Sequence, residues 1–220
     1  MDRATAISEI DKVFSAYRRL RPSDKRLLKA LKDGKLYELY VLSFVIVDLV
    51  KRGFRVTFQG HTLKFKGSPG RIKRSDPHFV IVPPNPAVGR FWLFVDIEFE
   101  TLGSKQISVS DNSLRHEIDI VVVSVDNGYP KNSDIILGVE CKAVANFSKS
   151  ILKEVLGVRR ELSLLQSPTP SLLSAFGGKP SLSIPADPAS EYWLAYIDPA
   201  GNSYRESPGA FGIEFKHLQP

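Results

Sequence analysis

The feature that most restricts this fold is a change of hydrophobic period at Gly53. Before it, KLYELYVLSFVIVDLVKRG (35 to 53) is almost continuously apolar and closes on Lys51, Arg52 and Gly53, the cationic last turn and terminal glycine that stop an α-helix. After it, FRVTFQGHTLKFKG from 54, RFWLFVDIEFETL from 90, EIDIVVVSVD from 117 and SDIILGVECKAV from 133 read as strands, with side chains alternating between two faces. A buried helix followed by apolar strands needs a sheet to cover it. We therefore expect an α/β chain with a central mixed sheet flanked by helices. With 220 residues, 43% of them hydrophobic, one main domain can bury its own core.

Around this centre the remaining elements are read from breakers and caps. Residues 5 to 20 and 23 to 33 are two helices parted at Arg21-Pro22, with Ser23 as N-cap and Asp33-Gly34 closing the second. They form an N-terminal helical extension over 1 to 34, ahead of an α/β domain over 35 to 220. The 54 to 67 segment suggests a hairpin turning near Gly60, and Asn127-Gly128-Tyr129-Pro130 joins the next two strands antiparallel. Ile151, Leu152, Val155, Leu156, Leu162 and Leu165 recur at helical spacing between 148 and 166, with Lys149, Lys153, Arg159 and Arg160 elsewhere on the cylinder. Residues 167 to 190, rich in Ser, Pro and Gly, are expected to be a flexible lid or binding loop before closing strands at 191 to 198 and 212 to 218.

Period two also carries chemistry. Glu140 and Lys142 project from one face of their strand while Val139 and Cys141 point the other way. Antiparallel pairing through the 127 to 130 turn brings Asp119 beside Glu140, and two converging carboxylates make a hard-oxygen site for Mg²⁺. Phosphodiester hydrolysis needs a cation on the phosphate, an activated water and a group that meets the charge of the transition state; Asp119, Glu140 and Lys142 can supply all three. Glu38 shares a helix face with Val41, Leu42 and Val45, so it should be buried and in need of a partner. A metal-bound water, Lys142, a tyrosine or a backbone donor would each serve.

In this order the residues resemble the PD-(D/E)xK nuclease superfamily, the restriction-endonuclease-like fold. Its core is a glutamate-bearing helix, a β-meander with an aspartate on one strand and (D/E)xK on the next, a helix, and a last strand. Here these are Glu38 in KLYELY, Asp119 in HEIDIVVV, Glu140-Cys141-Lys142 in GVECK and the 148 to 166 helix. Ile118 stands where the namesake proline would be. The resemblance implies that Asp119, Glu140 and the Cys141 carbonyl bind Mg²⁺, for which Mn²⁺ would substitute, and that Lys142 positions the water, with Glu38 completing the catalytic set. Lys149, Lys153 and Arg159 would face the nucleic-acid backbone. The implied activity is a metal-dependent endonuclease on DNA, RNA being the other substrate, in restriction or phage defence, as a homodimer or with a recognition or effector partner. The competing readings are a nuclease fold without turnover that binds nucleic acid or assembles with others, and a structural ion-pair network in which Asp119 simply bridges to Lys142.

Two further acidic-x-lysine triplets occur. Asp33-Gly34-Lys35 falls at a helix junction and reads as a C-cap turn, whereas Glu214-Phe215-Lys216, with Asp198 on the strand before, is a rival site or a surface ion pair. Glu117 is expected as a solvated strand-end charge. His61, His78, His116 and His217 show no ligand spacing. The single cysteine, Cys141, excludes an internal disulfide and a cysteine-based zinc site and suits a small core position. A net charge of +6 and a pI near 9.4 are compatible with a polyanionic partner. The cations crowd between Arg18 and Lys35, as a solvated face or as a phosphate-contacting one. No charged leader precedes a short apolar run, and Glu38 and Asp48 interrupt the apolar helix. A soluble, cytoplasmic protein without membrane association is expected.

Overall fold

The computed structural model describes residues 1–18, 20–165 and 186–220. Its helices are α1 (Arg3–Ser15), α2 (Pro22–Ala30), α3 (Asp33–Lys51), α4 (Leu102–Gln106), α5 (Lys149–Leu162) and α6 (Glu206–Gly209). Its strands are β1 (Arg55–Gln59), β2 (His78–Val82), β3 (Phe91–Glu100), β4 (Arg115–Val123), β5 (Ile135–Lys142), β6 (Leu164–Leu165), β7 (Ala186–Asp187), β8 (Glu191–Tyr196) and β9 (Ile213–His217). The expected loop at 167 to 190 falls mostly outside the described residues; its last part supplies β7, which pairs with β6.

Local chemistry sets the helix ends. The Asp2 carboxylate accepts the Ala4 N–H at 2.9 Å and starts α1. Pro22 occupies the first turn of α2, and Asp24 reaches back to the Arg21 N–H at 2.9 Å, so Arg21 rather than Ser23 is the cap. Helix α3 begins at Asp33, so Asp33-Gly34-Lys35 is its first turn and not the C-cap of α2. The Leu36 N–H already bonds the Lys32 carbonyl at 2.9 Å, and an acidic residue in a first turn complements the helix dipole. At the other end Gly53 takes φ 89°, the left-handed exit that favours glycine.

A seven-stranded mixed sheet runs in the order β1-β2-β3-β4-β5-β8-β9. Strands β1 to β5 are consecutive antiparallel neighbours; α5 then returns the chain so that β8 lies parallel to β5, and β9 parallel to β8. The hairpin partner of β1 is β2, not the 61 to 67 segment. Leu63 and Phe65 of that segment are buried nonetheless, in the core with α1, and the Leu63 N–H goes to the Asp24 carboxylate at 3.3 Å. Five residues between Pro77 and Pro83 were too short a run for the alternation to announce β2.

Helices cover both faces. Ile10, Phe14, Leu42 and Val45 of α1 and α3 pack with Phe79, Leu93, Ile120 and Val139, while Ile151 and Val155 of α5 pack with Phe94, Ile97, Ile118 and Leu194. Ala6 and Leu28 join the first cluster, so the helices of 1 to 34 share the core of the sheet. Among the described residues no helix is long and apolar enough to cross a membrane.

One row of the sheet is irregular. Phe91, Leu93 and Val95 of β3 face α3, yet Ile97 and Phe99 belong to the α5 side; on β4, Ile120 faces α3 and Ile118 faces α5. The ladder pairs Val95 with Ile120 and Ile97 with Ile118, passing over Asp96 and Asp119. Asp96 takes φ 51° there, a conformation that aspartate tolerates better than most residues. Two adjacent strands thus exchange faces at two carboxylates.

Candidate functional site

Everything unusual about that row converges on Asp119. The pairing of Ile120 with Val139 sets Asp119 level with Glu140, and the Cys141 N–H donates to Asp119 Oδ2 at 2.7 Å. Glu140 is 5% exposed; Lys142, two residues on, lies 3.7 Å from it and also pairs with Glu154 of α5. Cys141 turns to the opposite face and packs against the α3 cluster, and burial pushes its thiol well up.

From the α3 side come Glu38 and, one turn earlier, Lys35, whose ammonium contacts both Glu38 and Asp96. Glu38, Asp96 and Asp119 each offer an oxygen within 4.8 Å of the others. The expected residues Glu38, Asp119, Glu140 and Lys142 are therefore brought to one region, and the compact carboxylate trio within it is Glu38-Asp96-Asp119. Asp96 and Lys35 were missed. The signal for Asp96 was present, since an aspartate inside FWLFVDIEFE is as costly to bury as one inside EIDIVVV. Lys35 was hidden by the reading of Asp33-Gly34 as a turn.

Four carboxylates here face two ammonium groups, Lys35 and Lys142. Burial raises Asp119 to about 6 against the Cys141 N–H and Lys142, which lower it. Burial likewise raises Glu38 to about 7 despite Lys35, and burial followed by the Asp119 charge pushes Glu140 well above the carboxylate range. Both lysines are raised, because their carboxylate partners outweigh the burial that would lower them. The site holds more carboxyl groups than it has ammonium groups to pair with them.

Elsewhere the structure sorts the expected residues. Lys149 and Lys153 are exposed on α5, but Arg159 is 4% exposed and cannot face a phosphate backbone. It donates to the Phe211 carbonyl and to Ser190 Oγ, both at 2.9 Å, because its helical position points into the apolar face of α5 beside Val155 and Leu162. In the rival triplet Lys216 pairs with Glu214 and lies 4.5 Å from the Trp193 ring. Asp198 accepts the Phe147 and Ala200 N–H groups at 2.7 and 3.0 Å instead of joining them. Glu117 is exposed. His78 and His217 each bond a backbone carbonyl, at 2.7 and 2.8 Å. No family model, curated protein or solved structure matches this chain.

Proposed function

We propose that the chain is a Mg²⁺-dependent endonuclease that hydrolyses phosphodiester bonds in DNA from a restriction-endonuclease-like core. The observation that carries this reading is the placement of Asp119 level with Glu140 on β4 and β5, with Lys142 beside Glu140. The order α3, β3-β4-β5, α5, β8 supports it, as the order of helix, meander, helix and strand that the resemblance implies.

The donor set suits Mg²⁺, since every candidate side-chain ligand is a carboxylate oxygen and three of them converge within 4.8 Å. Asp119, Glu140 and the Cys141 carbonyl would hold the ion, with Glu38 and Asp96 adjacent, and Mn²⁺ would substitute. When bound, the cation neutralises the phosphate and lowers the pKa of water. Lys142, kept charged by Glu154 and Glu140, orients the attacking water and meets the charge that builds on the phosphate oxygens. Asp119 is fixed by the Cys141 N–H. Glu38, raised to about 7, is suited to receive the proton as the water oxygen bonds phosphorus and the sugar oxygen leaves. Lys149 and Lys153 would meet flanking phosphates. Cutting both strands would call for a homodimer or a partner protein, and restriction or phage defence is the role the resemblance implies.

Purified protein should nick plasmid DNA with Mg²⁺ or Mn²⁺ and stop in EDTA. Lys142→Ala should abolish nicking without unfolding, as circular dichroism of the variant checks. Equal cleavage by the two proteins would remove this site from consideration. One observation favours a second reading: Lys35 already bridges Glu38 and Asp96 as an internal counter-ion, as a nuclease fold turned nucleic-acid-binding or assembly module would retain. Salt-sensitive DNA binding with no cleavage and no heat of Mg²⁺ binding would select it.

A further inference from the structure

A large cleft among the described residues lies away from the carboxylates. It encloses ≈ 1110 Å³ where the end of α1 and the start of α2 meet the end of β1, and Arg18, Arg21, Lys25, Arg26, Phe58 and His61 line it together with apolar neighbours. Among the described residues no acidic one lines it. Two acids stand behind the cations: Asp24 takes Arg18 at 2.9 Å and Asp11 takes Lys25 at 3.2 Å. Arg21 and Arg26 are exposed and form no ion pair with a described residue. Arg18 lies 5.9 Å from the Phe58 ring centroid, and its Nη1 is buried with no hydrogen-bond partner among the described residues. An unpaired buried N–H of a cation is costly and is relieved by an anionic oxygen.

The position of the cleft gives this charge a direction. Phe58 pairs with Phe79, and Phe79 with Leu93, three residues before Asp96 on β3. The cleft floor is thus ~10 Å along the strand and ~10 Å across it from the carboxylate row. That span is about four steps of a DNA strand, at ~3.4 Å of helix rise each.

We propose that this cleft is a phosphate-backbone site that anchors a strand of DNA whose neighbouring phosphates reach the Asp96-Asp119-Glu140 row. The choice of DNA rests on the nuclease reading. Arg21 and Arg26 meet successive phosphates, Arg18 offers its free N–H, and Phe58 gives the strand an apolar floor. A single small anion would leave most of so large and open a cleft unfilled, whereas a strand would occupy it.

The test is fluorescence anisotropy of a short labelled DNA duplex across a KCl series in EDTA, where no cleavage intervenes. Arg21→Glu/Arg26→Glu should weaken binding at least ~10-fold and reduce the slope of log K against log salt by about 2. Lys51→Glu/Arg55→Glu makes the same charge change at exposed positions near the opposite end of β1, and should cost less than ~2-fold with the slope unchanged. Arg21→Ala/Arg26→Ala, which adds no acid, should show the same order of effect more weakly, and thermal melts confirm that each variant folds. Equal weakening by the cleft and control pairs, wild-type affinity in the cleft pair, or no salt-dependent binding by the wild type would each overturn the proposal. A chain that binds through the cleft but fails the Lys142 cleavage test loses the nuclease reading and keeps this one; a chain that cleaves but binds independently of the cleft does the reverse.

Discussion

At the scale of single residues, Lys35 and Asp119 hold the site together from two directions. Asp119 is tied to β5 through the Cys141 N–H, and Lys35 gathers Glu38 and Asp96 from α3 and β3. Breaking a buried ion pair from one side leaves charge without a partner, which costs ~3–5 kcal/mol when burial is complete. Lys35 is 19% exposed, so Lys35→Met should cost somewhat less, about 2–3 kcal/mol. In EDTA the midpoint of thermal unfolding should fall by ~5–10 °C. Mg²⁺ should recover more of that loss in the variant than it adds to the wild type, because the freed carboxylates gain a cation. A variant that melts with the wild type in EDTA would show that Lys35 is dispensable to the cluster. Lys142 was legible because period two alone puts it beside Glu140; Lys35 depended on where α3 begins, and Asp-Gly is as acceptable in a first turn as in a stop.

At the scale of elements, α5 is the clearest case of a pattern read correctly and one residue read wrongly. Its apolar face packs under β4, β5 and β8 as its spacing predicts. Arg159, however, lies at i+4 from Val155 and enters the same face. Burial lowers its pKa to about 10, and its hydrogen bonds tie α5 to Ser190 before β8 and to Phe211 before β9. Arg159→Ala should therefore lower the urea midpoint by an amount corresponding to about 2–3 kcal/mol and leave DNA affinity unchanged. Lys149→Ala/Lys153→Ala should do the opposite. Weakened DNA binding by Arg159→Ala with full stability would return Arg159 to the surface role its charge first suggested. The strands divide similarly. β3, β4 and β5 were long enough for alternation to mark them, whereas β2 has five residues flanked by prolines, and only its pairing with β1 and β3 identifies it.

For the whole molecule, the buried carboxylates couple stability to pH and, on the proposed reading, to metal. Asp119 at about 6 and Glu38 at about 7 lie above the ~4 expected of unfolded carboxylates, so the folded chain binds more protons in between. Stability from these groups is complete below ~4 and is lost as pH rises through 6 to 7. Metal-free protein should thus lose on the order of 2 kcal/mol between pH 5 and pH 8, a fall of ~4–8 °C in unfolding midpoint. Mg²⁺ should reverse the fall at pH 8, where the carboxylates are ionised. A midpoint that rises with pH in EDTA would contradict this coupling. The sequence by itself determined the α/β class, the extent of the apolar helix, the shared face of Glu140 and Lys142 and the approach of Asp119, because each follows from a local period or a short turn. Only the tertiary structure decided that Asp96 and Lys35 join them, that Arg159 is buried and that a basic cleft opens at the same end of the sheet as the carboxylate row. Those outcomes depend on how α3 docks across strands distant in sequence and on the face reversal at Asp96, where local alternation stops predicting which side a residue takes.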